Sequence, residues 1–125
     1  MHEAAIAQAI LRKACQSFEQ HQLRSGHSSS SNGELVSRIV VSVGEFRNVD
    51  PESLEFAFSA LKKEYRSIEA CQLDLVRVEA LAVCSLEEHR YHPVPEHFFA
   101  CTECGGSIKK LLKGDELDII SIEIE

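Results

Sequence analysis

From Glu3 to about Gln22 the apolar residues Ile6, Ala9, Ile10, Ala14 and Phe18 return at helical spacing, while Arg12, Lys13, Gln16, Glu19 and Gln20 lie mostly off that stripe. A stripe of this kind buries on one side only, so the stretch is predicted to be an amphipathic helix. Glu3 adds a negative charge in the first turn, at the positive end of the helix dipole. The pattern then changes. "LVSRIVVSVG" is rich in β-branched residues, largely apolar on both faces and closed by Gly44, which predicts a strand over Leu35 to Val43 covered on both sides. "DPES" follows, with Asp50 suited to a cap, Pro51 to the first helical position and Glu52 to the first turn. The helix it opens is expected to reach Lys63 or Tyr65 and to bury Leu54, Ala57, Phe58, Leu61 and Tyr65, with Phe56 on the opposite side.

"CQLDLVRVEAL" and "ELDIISIEIE" read as two more strands. In the first, Leu73 and Leu75 alternate and the phase then shifts to Val76 and Val78. In the second, Leu117 and Ile119 give way to Ile120, Ile122 and Ile124. A slip of this sort marks a bulge or a stretch apolar on both faces. The matching slips point to an antiparallel pair of these two strands, with Cys84 to Lys113 inserted between them. The polar stretch "RSGHSSSSNGE", Arg24 to Glu34, is a flexible connector, and His27 within it is taken as a solvated loop residue. The expected division is therefore 1–82 with 114–125 as one α+β domain and 83–113 as an inserted domain.

The length of 125 residues suits one domain with a small appendage. The net charge of −7 repels phosphate backbones, so nucleic acid is not expected as a partner. No apolar run approaches the length of a membrane span, and the alanine-rich, amphipathic start with its early Glu3 does not resemble a signal peptide. A cytoplasmic protein without a membrane partner is expected. Five cysteines are an odd number for a disulfide framework, which shifts weight toward metal or catalytic roles. Cys15 and Cys71 sit alone in apolar patterns and are expected to be buried small hydrophobes.

The insert carries the chemistry. Cys101-x-x-Cys104-Gly-Gly has the spacing at which two thiolates share one tetrahedral Zn²⁺, with backbone N–H groups of the turn aimed at the sulfurs. A second pair upstream would complete a zinc ribbon. Cys84 is present, but Glu87 stands three residues later, and His89, His92 and His97 lie beyond it. Zinc accepts imidazole and carboxylate, so a three-cysteine site closed by His89 or Glu87 is expected, with His92 as a further candidate. A metal-free hairpin and a redox pair of Cys101 and Cys104 are the alternatives. A redox CxxC opens a helix after a strand, whereas a Gly-Gly turn and a basic segment follow here.

Tyr91, Phe98, Phe99, Ile108, Leu111 and Leu112 are too few core residues for the insert to fold unaided, at roughly 1–2 kcal/mol of backbone entropy per residue. A structural zinc supplies on the order of 10–16 kcal/mol. A metallohydrolase built on Glu87, Glu88, His89, His92, Glu96 and His97 would need an open metal position. That cluster lacks HExxH-type spacing, and Pro93 and Pro95 interrupt any helix there.

Five segments in series resemble the HypA/HybF hydrogenase nickel-incorporation proteins: "MHE" at the start, "VSVGE", "VDPESLEFAF", "CTECGG" and "GDELDIISIEIE". The resemblance spans nearly the whole chain. It implies a fold of two helices on a small three-stranded sheet, which carries the nickel site, with an inserted zinc-ribbon-like hairpin domain. It implies a nickel metallochaperone and not an enzyme, working with an accessory GTPase to deliver Ni(II) to the large subunit of a nickel–iron hydrogenase, in some organisms also serving urease. By position His2 matches the family's nickel histidine and Glu3 its neighbour. Cys84, Cys101 and Cys104 match three of the four zinc cysteines, and Glu87 stands where the fourth is usual. The connector is also longer than the family pattern. Either a monomer or a weak, domain-swapped homodimer is compatible.

The chain start suits nickel on chemical grounds as well. The Met1 amine, the His2 backbone nitrogen and the His2 imidazole form fused five- and six-membered chelate rings, three nitrogens in one plane of the kind Ni(II) takes. The first amides of a helix have no intrahelical partner, so giving one to a metal breaks no hydrogen bond. The fourth position is open to the Glu3 backbone nitrogen, the Glu3 carboxylate or a further imidazole. A zinc-ribbon adaptor that binds protein partners and no nickel is the competing expectation.

Overall fold

The computed structural model describes residues 2–24 and 34–125. Met1 and residues 25–33, which include His27, lie outside the described residues, and so does the proposed amine ligand. The order is α1 (Glu3–Arg24), β1 (Val36–Gly44), α2 (Pro51–Leu61), β2 (Gln72–Val78), β3 (Leu81–Cys84), β4 (Arg90–Tyr91), β5 (Ile108–Lys113) and β6 (Leu117–Ile124). Short 3₁₀ turns occupy Glu45–Arg47, Lys62–Glu64 and Pro95–His97. Among the described residues the strands form two three-stranded sheets, in the orders β2-β1-β6 and β4-β3-β5, and there are two α-helices. This is a mixed α+β fold, as expected.

The chain packs as two compact units. The first comprises Met1–Val41, Val49–Leu75 and Ile119–Glu125, and the second Ser42–Asn48 and Val76–Asp118. The second unit is thus drawn wider than the inserted stretch 83–113 alone.

In the first unit α1 buries Ala7, Ile10, Leu11, Ala14 and Phe18. The buried stripe lies one position round from the expected one: Ile6 is half-buried and Ala9 exposed, while Leu11 is fully covered. The shift places Glu3, a charged residue, at the head of the buried face. In α2, Leu54 and Phe58 are buried and Ala57 and Leu61 half-buried, and Tyr65 beyond it is also half-buried. Each large apolar side chain covered in this way contributes about 1.5–3 kcal/mol. Phe56 is 78% exposed, on the far side as expected. The α-helix ends at Leu61, short of Lys63, because the chain tightens there into a 3₁₀ turn. Lys62 donates to the Cys71 carbonyl at 2.8 Å and lies 5.9 Å from the Phe58 ring centroid.

Asp50 does not cap α2 with its carboxylate. That group instead accepts from the Ser53 hydroxyl at 2.6 Å. Cys71 is buried, but Cys15 is only half-buried, with its thiol 3.9 Å from the Glu19 carboxylate.

The expected pairing of the second and last strands of this sheet does not occur, because β1 lies between them. Burial explains the order. Val36, Ile39 and Val41 of β1 are at most 1% exposed, whereas β2 carries Asp74 and Arg77 and β6 carries Asp118 and Glu123. The strand apolar on both faces takes the centre, and the charged ones take the edges. Leu35 and Glu125 exchange both backbone hydrogen bonds, so β1 and β6 run antiparallel. Phase slips reported faces that are partly apolar, not a shared partner. "CQLDLVRVEAL" is also not one strand: it breaks at Glu79–Ala80 between β2 and β3.

In the second unit β3 is central, paired antiparallel with β4 (Ala82 opposite Tyr91) and with β5 (Ala82 opposite Leu111). Its core is Ala82, Cys84, Tyr91 and Cys101, flanked by Cys104, Ile108 and Leu111. That is smaller than expected, since Phe98 is 90% exposed and Phe99 and Leu112 are also exposed. Gly44 and Gly114 meet backbone to backbone. A Cβ on Gly44 would lie 2.2 Å from the Gly114 carbonyl carbon, and one on Gly114 (φ 117°) would lie 2.6 Å from Ala80 Cα. Only glycine leaves room for that approach.

Candidate metal centres

Two turns of the second unit face each other. Cys84 closes β3, and the chain returns within a few residues, Cys84 N–H donating to the His89 carbonyl at 3.0 Å. Glu88, in the left-handed region at φ 57°, makes that return possible and turns His89 inward. Opposite, Gly105 N–H donates to the Cys101 carbonyl at 2.8 Å, and Gly105 takes φ 75°. The donor atoms of Cys84, His89, Cys101 and Cys104 all lie within 4.8 Å of one another.

The separations match a metal's coordination shell. Zinc–sulfur bonds near 2.3 Å and zinc–nitrogen bonds near 2.0–2.1 Å give a tetrahedron whose S···S edge is about 3.8 Å and S···N edge about 3.6 Å. Here Cys84 Sγ and Cys104 Sγ are 3.5 Å apart, and His89 Nδ1 is 3.6 Å from Cys101 Sγ and 3.8 Å from Cys84 Sγ. The donor set therefore fits one tetrahedral divalent ion, and three thiolates with an imidazole favour zinc.

The polypeptide prepares the sulfurs. Cys84 Sγ receives the N–H groups of His89 at 3.2 Å and Glu87 at 3.4 Å. Burial pushes the Cys84 thiol up, but these donors outweigh it and bring it down to about 6. Cys101 is likewise lowered, against its own burial, by the backbone N–H groups of Glu103 and Cys104. Cys104 receives the Gly106 N–H, yet burial and the neighbouring Cys84 and Cys101 sulfurs push it up to about 11. The imidazole of His89 is raised, chiefly by its hydrogen bond with Cys101.

Of the three candidates for a fourth donor, the structure brings His89 to the sulfurs. Glu87 is exposed, and His92 is held elsewhere, its Nε2 2.8 Å from Glu45 Oε1. The six acids and imidazoles considered for hydrolysis do not converge: Glu88 faces Lys109 at 3.9 Å, and Glu96 and His97 are exposed on a 3₁₀ turn. Sequence reasoning missed Glu45. It accepts the Ala80 N–H at 2.9 Å and pairs with His92 and Arg77, a role that no local spacing announces.

In the first unit His2 is exposed and its carbonyl accepts the Ile6 N–H at 3.0 Å, while its Nδ1 lies 3.9 Å from Glu3 Oε1. Glu3 is 9% exposed, and its Oε2 accepts the Asp50 N–H at 3.1 Å, just before α2. That hydrogen bond chiefly holds the Glu3 carboxyl down at about 2. Among the described residues no helix is long and apolar enough to cross a membrane.

Fold and site together define a small α+β metal-binding protein with a three-thiolate, one-imidazole centre. The family model described as hydrogenase/urease nickel incorporation, metallochaperone, HypA, matches residues 1–124. The chain belongs to the HypA family. It is 30% identical over 122 residues to a hydrogenase maturation factor HypA of Francisella philomiragia, covering 98% of this chain and 97% of that one. It is 32% identical over 125 residues to that of Chlorobium phaeobacteroides, with full coverage of both. The fold is that of the Ni metallochaperone HypA from Helicobacter pylori, with a TM-score of 0.63 at 21% identity, covering 98% and 97% of the two chains.

Proposed function

We propose that this chain binds Ni(II) at its N-terminus, through the Met1 amine, His2 and Glu3, and delivers it in the cytoplasm to the large subunit of a nickel–iron hydrogenase. An accessory GTPase assists, and urease is a second client. The division into a nickel-binding domain, 1–82 with 114–125, and a zinc-binding domain, 83–113, belongs to the same proposal. The observation that carries it is the family match beginning at residue 1, in a chain whose His2 stands exposed beside an anchored Glu3. Nickel is cargo on this account. An exposed site at a chain end gives it up readily to a partner.

Cys84, Cys101, Cys104 and His89 would hold a structural Zn²⁺. Zinc there contributes on the order of 10–16 kcal/mol, which offsets the ordering cost of a unit whose apolar core is small. All four positions are filled by protein, so no coordination site is left for substrate.

The deciding experiment is elemental analysis after equilibration with limiting Ni²⁺, beside His2→Ala. The parent should hold one zinc and one nickel, and the variant one zinc only. Zinc in both and nickel in neither would leave a zinc-ribbon adaptor.

A further inference from the structure

Glu87 occupies the third position after Cys84, where its backbone N–H serves the Cys84 sulfur at 3.4 Å. Its carboxylate does something else. Glu87 Oε1 lies 3.8 Å from His89 Nε2, the ring nitrogen turned away from the thiols. A metal on Nδ1 requires the ring proton to sit on Nε2, where a carboxylate acceptor fixes both tautomer and ring orientation. Glu103 approaches the same ring at 4.0 Å, but on Nδ1, the nitrogen the metal would take. Glu88 is turned to Lys109. Of these acids, Glu87 is the one that faces the N–H. Its side chain is 67% exposed, so a small rotation closes 3.8 Å to hydrogen-bonding distance without disturbing the core.

We propose that Glu87 is a positioning residue for the metal centre: it is not a ligand, and it accepts the Nε2–H of His89 so that Nδ1 is presented to the three sulfurs. The proposal rests on the structural zinc reading above. Metal-bound imidazoles are held in this way by outer carboxylates, whose removal typically costs about 10–100-fold in metal affinity. The carboxylate also makes the imidazole a stronger donor, in a site that has one thiolate fewer than a four-cysteine ribbon.

The test uses the full chain loaded with Zn²⁺. Long-range ¹H–¹⁵N spectra report which His89 nitrogen carries the metal, and competition with a chromophoric chelator reports affinity. Expected are Nδ1 ligation with a proton on Nε2 and about tenfold weaker zinc in Glu87→Ala. Glu87→Gln, whose amide oxygen still accepts, should be partly restored, and Glu103→Gln should match the parent. Zinc bound through His89 with Glu87→Ala as tight as the parent overturns the positioning role, as does ligation through Nε2. Loss of a ligand from the Co²⁺ spectrum of Glu87→Ala would make Glu87 a ligand and overturn it too. His89 signals unmoved by zinc, or zinc retained undiminished in His89→Ala, would remove His89 from the ligands and overturn the positioning role with it, whereas no zinc bound by the parent would instead sink the zinc reading itself.

Discussion

The Glu45 carboxylate and the His92 imidazole stand 2.8 Å apart although 47 positions separate them in the chain. Glu45 also accepts the Ala80 N–H, which is the main reason its carboxyl is held below the ordinary carboxylate value, with His92 and Arg77 adding to the effect. Because the folded carboxyl titrates below its unfolded value of about 4.5, its contribution is whole above that pH. It fades as the pH falls through the lower, folded-state value. Thermal melts of the parent and Glu45→Gln should therefore converge as the pH is lowered from about 6 towards 3, since Gln keeps an acceptor for Ala80 but no charge. A difference constant with pH would refute the linkage. Glu45→Ala should cost about 1–3 kcal/mol at neutral pH by leaving the Ala80 N–H unpaired.

Gly44→Ala tests the glycine contact. The added Cβ would meet backbone atoms of Gly114 at 2.2 Å, and no side chain can move aside to relieve it. A loss of about 2–3 kcal/mol is expected in urea unfolding, at the upper end for overpacking. A variant as stable as the parent would show that the two turns can separate.

Phe56 and Phe58 lie two positions apart on α2 with opposite fates, one 78% and the other 2% exposed. Phe58→Ala should cost about 3–5 kcal/mol. Phe56→Ser should stay within about 0.5 kcal/mol of the parent. Equal effects would mean that the helix is rotated from its described phase.

If the cysteine-rich centre holds zinc as proposed, removing the metal should act through the second unit. Chelation, or Cys104→Ser, is expected to collapse the amide signals of Ala82 and Tyr91, because their shared core includes Cys84 and Cys101. Sharp, unshifted signals for these residues after zinc is gone would show that the apolar core suffices.

Element types were legible in the sequence because each rests on local periodicity: the α1 stripe, the β-branched run of β1 and the Pro51 start of α2. Strand order was not. Phase slips in β2 and β6 describe how each strand is covered, whereas neighbours are set by which strand most needs covering, and that is β1. At the candidate metal centre the grouping of the three cysteines was legible from the sequence, and their sulfurs do come together. Which of His89 and Glu87 lies beside them was not, because that turns on the left-handed backbone at Glu88, a residue with no intrinsic demand for that conformation. Glu3 and Glu45 illustrate the same limit. Each is an acid whose partner is a backbone N–H 47 and 35 positions away, beyond the reach of any pattern.

Viewed as polymer topology, a metal that joins Cys84 to Cys104 is a crosslink closing a ring along a contour of 20 residues. Once the ends of a ring are fixed, lengthening the chain inside it is cheap, about 0.6 kcal/mol for each doubling. Within the span between His89 and Cys101, the exposed turn from Pro95 to Phe98, beyond the core residue Tyr91 and the paired His92, is therefore the part of this unit where insertion or sequence drift is best tolerated. The four donor positions and the residues that turn the chain at either end are where such change is most costly.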